Sequence, residues 1–450
     1  MMLAAAVSAG SMAVMADEPS VTLFENQMYL GGYMPECISA DGKYVSGSTF
    51  AWAGFVSEWA TQNTKVYLES DGSKYEDYGC DLPFINNQGV AVGFDDNGAL
   101  KIDFPNGTLE RLRLGGLPDA ITQDGSTIVG MYYISKESDF IDPHTIGYQA
   151  CYWRDGKVNL LPVPDEKDLG FYYNGTRARC ISGDGSVILG EIIDRLATYP
   201  MILWYRQDDG SYKLDPVCME YFSDIRDNDG TYKEYVTFHG NALSDNGEWV
   251  AMNLRKAPEY GEYVKDPILL GLYNVKTGEI KNVTYAEDGS IAPFTLLSVY
   301  YNAISDNGTV VGYFNNDEGG VSAFILYADE MQPKVLSEVF PSIEEFQRYE
   351  ENGTLMVSAI SANGRYICGM GWDIDEQYDL GYYAGFVLDC GEDDSAHAPG
   401  DDNGDDDAVD VIEMGSAAPV YYNLQGNPVS NPDRGIFIKV EGSKAEKIVK

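Results

Sequence analysis

The chain has 450 residues, with 71 Asp and Glu against 30 Lys and Arg, a formal net charge of −41. That balance excludes sequence-independent binding to nucleic acid, which depends on Lys and Arg neutralising phosphates, and docking on anionic membrane surfaces. It fits an acidic soluble protein whose partners are neutral, basic or bridged by cations.

The opening "MMLAAAVSAGSMAVMA", residues 1–16, is apolar, rich in small residues and too short to span a membrane. Small residues at Val14 and Ala16 match a signal-peptidase site, although no Lys or Arg precedes the run. Export is expected, with the mature chain starting near Asp17 and containing no transmembrane segment.

Residues 20–26, "SVTLFEN", read as a lone strand. After it one sentence recurs seven times. The copies are "ISADGKYVSG" from Ile38, "INNQGVAVG" from Ile85, "ITQDGSTIVG" from Ile121, "ISGDGSVILG" from Ile181, "LSDNGEWVAM" from Leu243, "ISDNGTVVG" from Ile304 and "ISANGRYICG" from Ile360. Internal repetition at this spacing points to propellers, solenoids or arrays. The Ile or Leu ends a buried strand, and the Ser, Thr or Asn after it bonds local backbone. Asp-Gly or Asn-Gly gives the positive φ of a tight hairpin. The closing Gly lets a neighbouring backbone approach, or marks a bulge. The fifth copy departs, with Met252 in place of that Gly.

A second apolar strand follows each motif, as in "AGFVSEW" at 53–59 and "SAFILY" at 322–327, and then a turn and a last strand, as in "RDGKVNLL" at 154–161. Four strands in a meander, a to d, are one propeller blade. Seven motifs imply a seven-bladed β-propeller over residues 17–390. The seventh copy has no d strand, so the surplus strand at 20–26 is expected to complete it and leave the ring without a free edge.

Four of the seven cysteines (Cys37, Cys151, Cys180, Cys368) fall in strand positions and behave as small core hydrophobes. Cys80, Cys218 and Cys390 lie outside the motif and are the candidates for one disulfide.

Residues 391–418 hold ten carboxylates and no Lys or Arg, and are expected to form a disordered acidic linker. Within it "DDNGDDD" at 401–407 lacks the alternate-residue spacing of a calcium loop, so no metal is assigned. Residues 419–450 reverse the charge trend and alternate like strands, which predicts a small β-hairpin.

The repeats resemble the exported HAF-type family, whose "A-I-N-x-x-G-x-V-V-G" half is matched by Ala303 to Gly312 and whose "A-F-x-W-x-x-G" half by Ala150 to Gly156, with Cys151 in place of Phe and Tyr152 beside it. They are also similar to the "S-x-D-G" hairpins of periplasmic propellers. The tail resembles the C-terminal sorting domain of type IX secretion substrates, through Tyr422, Leu424, Gly426, Pro432, Gly435, Lys447 and Lys450. The first resemblance implies the fold. The second implies contact with a secretion machinery and delivery to the outer-membrane surface or beyond.

Chemistry is sparse. The three histidines, His144, His239 and His397, form no zinc motif, and there is no C-x-x-C pair, phosphate loop or nucleophile elbow. No catalytic residue or cofactor is assigned. In a four-strand blade the short a–b and c–d turns share one face, and the b–c and d–a connections share the other. Here the long connections lie on the second face, where binding is expected. Their Tyr and acidic residues are the candidate ligand-binding set: Tyr132, Tyr133, Asp139, Asp142, Tyr172, Tyr173, Tyr260, Tyr263, Trp372, Asp373, Asp375 and Tyr378. Flat aromatic faces with polar tips, beside carboxylates, suit a glycan or a protein ligand. The expected function is non-catalytic binding or adhesion. The alternatives are a surface hydrolase acting on glycan through loop carboxylates, and a scaffold component of an envelope assembly.

Overall fold

In the computed structural model, residues 18–24, 31–51, 53–67, 80–95, 98–112, 115–134, 147–165, 173–194, 201–215, 236–255, 268–284, 291, 295, 297–316, 319–375 and 380–398 are described in the body, and 420–422, 428–429, 436–441 and 444–449 in the tail. The chain divides into two compact units, 1–399 and 400–450. The segment proposed as a signal peptide lies outside the described residues.

The body is all-β apart from short helical turns, and its strands form successive antiparallel meanders. The motif turn explains why. Ser39, fully buried, donates its hydroxyl to Asp41 at 2.6 Å and accepts the Tyr44 N–H at 2.9 Å. Gly42 sits at φ 77°, where a side chain is strained, and its N–H returns to the Ser39 carbonyl at 2.8 Å. This fixed corner sends the chain straight back along the strand it has left.

The seven turns form a closed circle of hydrogen bonds. Asp41 N donates to Asn87 Oδ1 (2.8 Å), Asn87 N to Gln123 Oε1 (2.7 Å) and Gln123 N to the Gly183 carbonyl (2.9 Å). Gly183 N donates to the Asp245 carbonyl (2.7 Å), and Asn246 N to Asp306 Oδ1 (2.8 Å). Asp306 N donates to the Ala362 carbonyl (2.7 Å), and Ala362 N to the Ala40 carbonyl (2.9 Å), which returns to the start. The arrangement is that of a propeller, with the turns around its axis.

The expected terminal closure is present. Strand Ser20–Leu23 lies antiparallel on Leu380–Asp389, with Ser20 opposite Asp389 and Leu23 opposite Phe386. It completes the sheet that begins at Met356–Ile360 and Tyr366–Asp375.

The expected count of seven separate four-stranded blades is not met by the hydrogen-bonded sheets, and this is a correction. Among the described residues, five sheets of the body hold four or more strands. The third and fourth meanders are fused into one eight-stranded sheet, because Tyr148 pairs in parallel with Gly175. The sixth has three strands. Its inner strand is reduced to the bridges Ser298–Tyr313 and Ile304–Val310. Asn302, between them, is drawn elsewhere: its Nδ2 donates to the Pro83 carbonyl at 3.0 Å, and its carbonyl accepts the Ile360 N–H at 3.0 Å.

Two further expectations need revision. Residues 391–398, expected to belong to a disordered linker, are packed on the body, with Asp394 only 4% exposed. Cys80 and Cys390 are free thiols, and Cys218 lies outside the described residues. The buried Cys37, Cys151, Cys180 and Cys368 are free and belong to the core.

The second unit is a four-stranded antiparallel sheet rather than a single hairpin. Val420–Tyr422 lies between Pro428–Val429 and Ile436–Glu441, and Lys444–Val449 pairs on the far side of Ile436–Glu441. Tyr422 and Lys447 are in these strands, whereas Leu424, Gly426, Pro432, Gly435 and Lys450 lie outside the described residues.

Candidate functional site

Two places in the body combine exposed or unsatisfied polar groups with aromatic surface. The first is the axis. In the first, third, fourth, fifth and seventh units the inner strand carries a bulge two residues before the motif's Ile or Leu. The extra residues are Glu36, Asp119, Arg179, Asn241 and Ser358. Asn302 holds the same place in the sixth unit and Pro83 in the second. An extra residue turns its side chain out of the normal alternation; Ser358 donates to the Pro35 carbonyl of the first unit and Asn302 to that of Pro83.

A network follows. Arg177 grips Asp119 through two nitrogens, with Nε at 2.8 Å from Oδ2. Arg179 donates to Glu191 at 2.6 and 2.9 Å, lies 3.6 Å from Asp119, and stacks its guanidinium over Tyr301, 4.9 Å from the ring centre. Burial pushes the Asp119 carboxyl up while Arg177 pulls it down. The net effect is a carboxyl raised above its ordinary value, opposed by the two-point grip of Arg177. Glu36 accepts from Ser48 at 2.7 Å and is hydrogen-bonded to Asp81. Burial, and then the charge of Asp81, pushes the Glu36 carboxyl up to about 8, so this pair shares a proton at neutral pH. Asp81 Oδ1, Asn241 Nδ2 and Asn253 Oδ1 are buried without a hydrogen-bond partner.

The second place is the end of the body that carries the b–c and d–a connections. Four aromatic rings are exposed among the described residues: Phe50 (56%), Tyr133 (44%), Tyr148 (38%) and Trp372 (37%). All four are at b–c strand ends. Phe50 follows strand Tyr44–Thr49, Tyr133 and Tyr148 flank the connection of the third unit, and Trp372 is near the end of Tyr366–Asp375. Tyr133 and Tyr148 meet edge to face at 5.4 Å.

The Trp372 indole lies over Gly381, where a Cβ would fall 2.1 Å from its ring. It meets Tyr383 edge-on at 5.0 Å, and Tyr383 contacts Phe50 at 5.7 Å. Beside this row Arg348, from the helix Glu344–Glu351 of a d–a connection, holds Asp373 at 2.7 Å. Both charged groups keep access to solvent, at 50% and 20% exposure. Ile374 and Leu380 extend the apolar surface.

Of the residues singled out in the sequence, Tyr133, Trp372 and Asp373 are on this rim. Tyr132 is half-buried, with its ring over Gly115. Tyr173 and Asp375 are in strands, paired with Asp194 and Leu380. Asp139, Asp142, Tyr172, Tyr260, Tyr263 and Tyr378 lie outside the described residues. The sequence reading missed Phe50 and Tyr148, and the whole axial network. Its signal was present: the position two before the motif's Ile or Leu is polar in six of the seven copies.

No protein-family model matches the chain, and no curated protein matches it. Among solved structures it is similar to TolB from Acinetobacter baumannii, at 14% identity over 67% of this chain and 62% of that one, with a TM-score of 0.36. It is similar to the oligogalacturonate lyase from Vibrio parahaemolyticus, at 11% identity over 82% and 91%, with a TM-score of 0.47. The acylaminoacyl peptidase of Pyrococcus horikoshii gives 11% identity over 90% and 55%, with a TM-score of 0.43. The chain thus spans less than two thirds of the length of the TolB and peptidase chains.

Proposed function

We propose that this chain is an exported, seven-unit β-propeller that binds carbohydrate without turning it over, through the rim formed by its b–c strand ends. The observation that carries the reading is the placement of the exposed aromatics: all four are on that rim, and Trp372 is laid flat beside the Arg348–Asp373 fork. A sugar ring stacks its C–H face on an indole, and its hydroxyls bond to a guanidinium and carboxylate held side by side. The count of seven units is supported by the seven turns of the hydrogen-bonded circle. Export and delivery to the cell surface by a type IX-like machinery are supported by the motifs of the opening segment and the tail.

The enzymatic alternative needs two carboxyl groups about 5 Å or more apart across a scissile bond. Glu36 and Asp81 are hydrogen-bonded to each other, too close for that role. Asp373 is held by Arg348.

The test is binding of the full chain to immobilised glycans, with product analysis of the solution. The reading expects retention without release of shortened sugars, and loss of retention in Trp372→Ala. Retention unchanged by that substitution, or hydrolysis, would overturn it.

A further inference from the structure

In five of the seven motif turns the Ser or Thr hydroxyl donates to an oxygen two residues on. The pairs are Ser39–Asp41, Thr122–Asp124, Ser182–Asp184, Ser244–Asn246 and Ser361–Asn363, at 2.6 to 2.8 Å. The second turn has Asn86 in the hydroxyl's place, and its Oδ1 accepts from Gln88 N and Val90 N. The sixth turn differs. Ser305 donates instead to a carboxylate 89 residues away, that of Asp394, and Asn307 Nδ2 donates to the other oxygen of the same group at 2.8 Å.

Asp394 comes from the acidic run after the last strand, yet it is buried. Its own N–H donates to the Asn363 carbonyl in the seventh turn at 3.1 Å. Gly364 leaves the space that its side chain fills, since a Cβ there would lie 2.2 Å from Asp394 Cγ. Three residues on, His397 stacks on Tyr327 of the sixth unit at 3.8 Å and 21°, and its Nδ1 lies 3.2 Å from Asp329.

We infer that residues 391–398 are a clasp across the last two units of the ring. Asp394 takes the place that the motif's own side chain fills in five other turns, and so ties the sixth turn to the seventh. A buried carboxylate that accepts charge-assisted hydrogen bonds from two side chains is a specific seat rather than a solvated face. The seat is where the ring needs it. The inner strand of the sixth unit is reduced to two bridges, so this unit has fewer ladder hydrogen bonds than its neighbours. The clasp also ends before residue 400, where the second compact unit begins. The clasp is therefore expected to hold without the tail.

Native-state hydrogen exchange on the full chain tests this. In Asp394→Ala the amides of Asp306, Thr309 and Tyr366 are expected to exchange at least about tenfold faster, the scale of one lost charge-assisted hydrogen bond. Those of Thr127 and Val187, in the third and fourth turns, are expected to be unchanged. Ser305→Ala removes one donor and is expected to give a smaller change at the same amides, and it serves if Asp394→Ala does not fold. Unchanged exchange at these amides, or an increase spread evenly over all turns, would overturn the clasp. Proteolytic cleavage of the wild-type chain between 400 and 419 is expected to leave their protection intact, and loss of protection would overturn the independence from the tail.

Discussion

Gly240 faces Met252 across the first two strands of the fifth unit, in the register where four other units set a residue of the inner strand against the motif's closing glycine. There the pairs are Pro35–Gly47, Pro118–Gly130, Ala178–Gly190 and Val357–Gly369. The bulge brings the two backbones so close that a Cβ on Gly190 would lie 2.2 Å from the Arg177 carbonyl oxygen. The fifth unit keeps the bulge with Met252 at this place, and a Cβ on its Gly240 would meet the Leu189 and Met201 side chains of the fourth unit, 2.7 and 3.0 Å away.

Gly190→Ala is accordingly expected to destabilise the body by roughly 1–3 kcal/mol, because backbone has to move. Met252→Gly leaves the bulge intact but empties a fully buried site, and is expected to cost about 2–5 kcal/mol as a cavity. Urea unfolding midpoints with unchanged slopes would check both. A neutral Gly190→Ala would show that the bulge is not tightly constrained.

The axial ion pairs are costly to break singly. Arg179→Met leaves Glu191 without its Arg179 bonds in a buried place and takes a second cation from Asp119. A loss of about 3–5 kcal/mol is expected, with part recovered in the double variant Arg179→Met, Glu191→Leu. Equal losses in the single and double variants would count against the network.

Stability should also depend on pH through Glu36. Burial and the neighbouring Asp81 hold its folded-state value at about 8, above the ordinary value of 4.5. The folded chain keeps this proton when the unfolded chain has lost it. Glu36 therefore contributes stability that is fully present below about pH 4.5 and is lost as pH rises through 8. Asp306, raised to about 6 by burial, adds the same sign over a lower window. The urea midpoint is expected to fall from pH 5 to pH 9, and less so in Glu36→Gln. A parallel fall in both proteins would place the effect elsewhere.

The strand from the start of the chain should matter as an edge cover. Val21 and Leu23 pack against the core of the last units, and Val21 and Thr22 pair with Leu388 and Val387. Val21→Asp is expected to lower the thermal midpoint and promote association, since it frees the edge of Leu380–Asp389. Light scattering on heating would check this. An unchanged midpoint with no association would mean that the closing strand contributes little.

Much of the body was legible because its rules are local. The Asp-Gly and Asn-Gly corners, the closing glycines and the missing last strand of the seventh copy each act within a few residues, and each is found where the sequence places it. The axial network was not legible, because Arg179 meets Tyr301 and Asn302 meets Pro83 across more than a hundred residues of chain. A bulge also reverses the alternation by which a strand residue is read as inside or outside. The sheet count failed for a related reason: one parallel bridge at Tyr148 fuses two meanders, and Asn302 unpairs another. Asp394 reads as linker because an acidic run looks solvated, whereas its burial and its bonds to Ser305, Asn307 and Asn363 show otherwise. On the rim, Tyr133, Trp372 and Asp373 follow from loop length, whereas Phe50 sits beside a short turn and Tyr148 lies in the strand just past the long connection that Tyr133 opens.

The claim that the b–c rim is the binding surface is tested most directly by hydrogen exchange of the full chain with and without a glycan that it retains. Added protection is expected at the amides of Phe50, Trp372, Ile374 and Tyr383, with none at the motif turns around Gly42, Gly125 and Gly247. Protection confined to those turns, or none on the rim, would contradict the account.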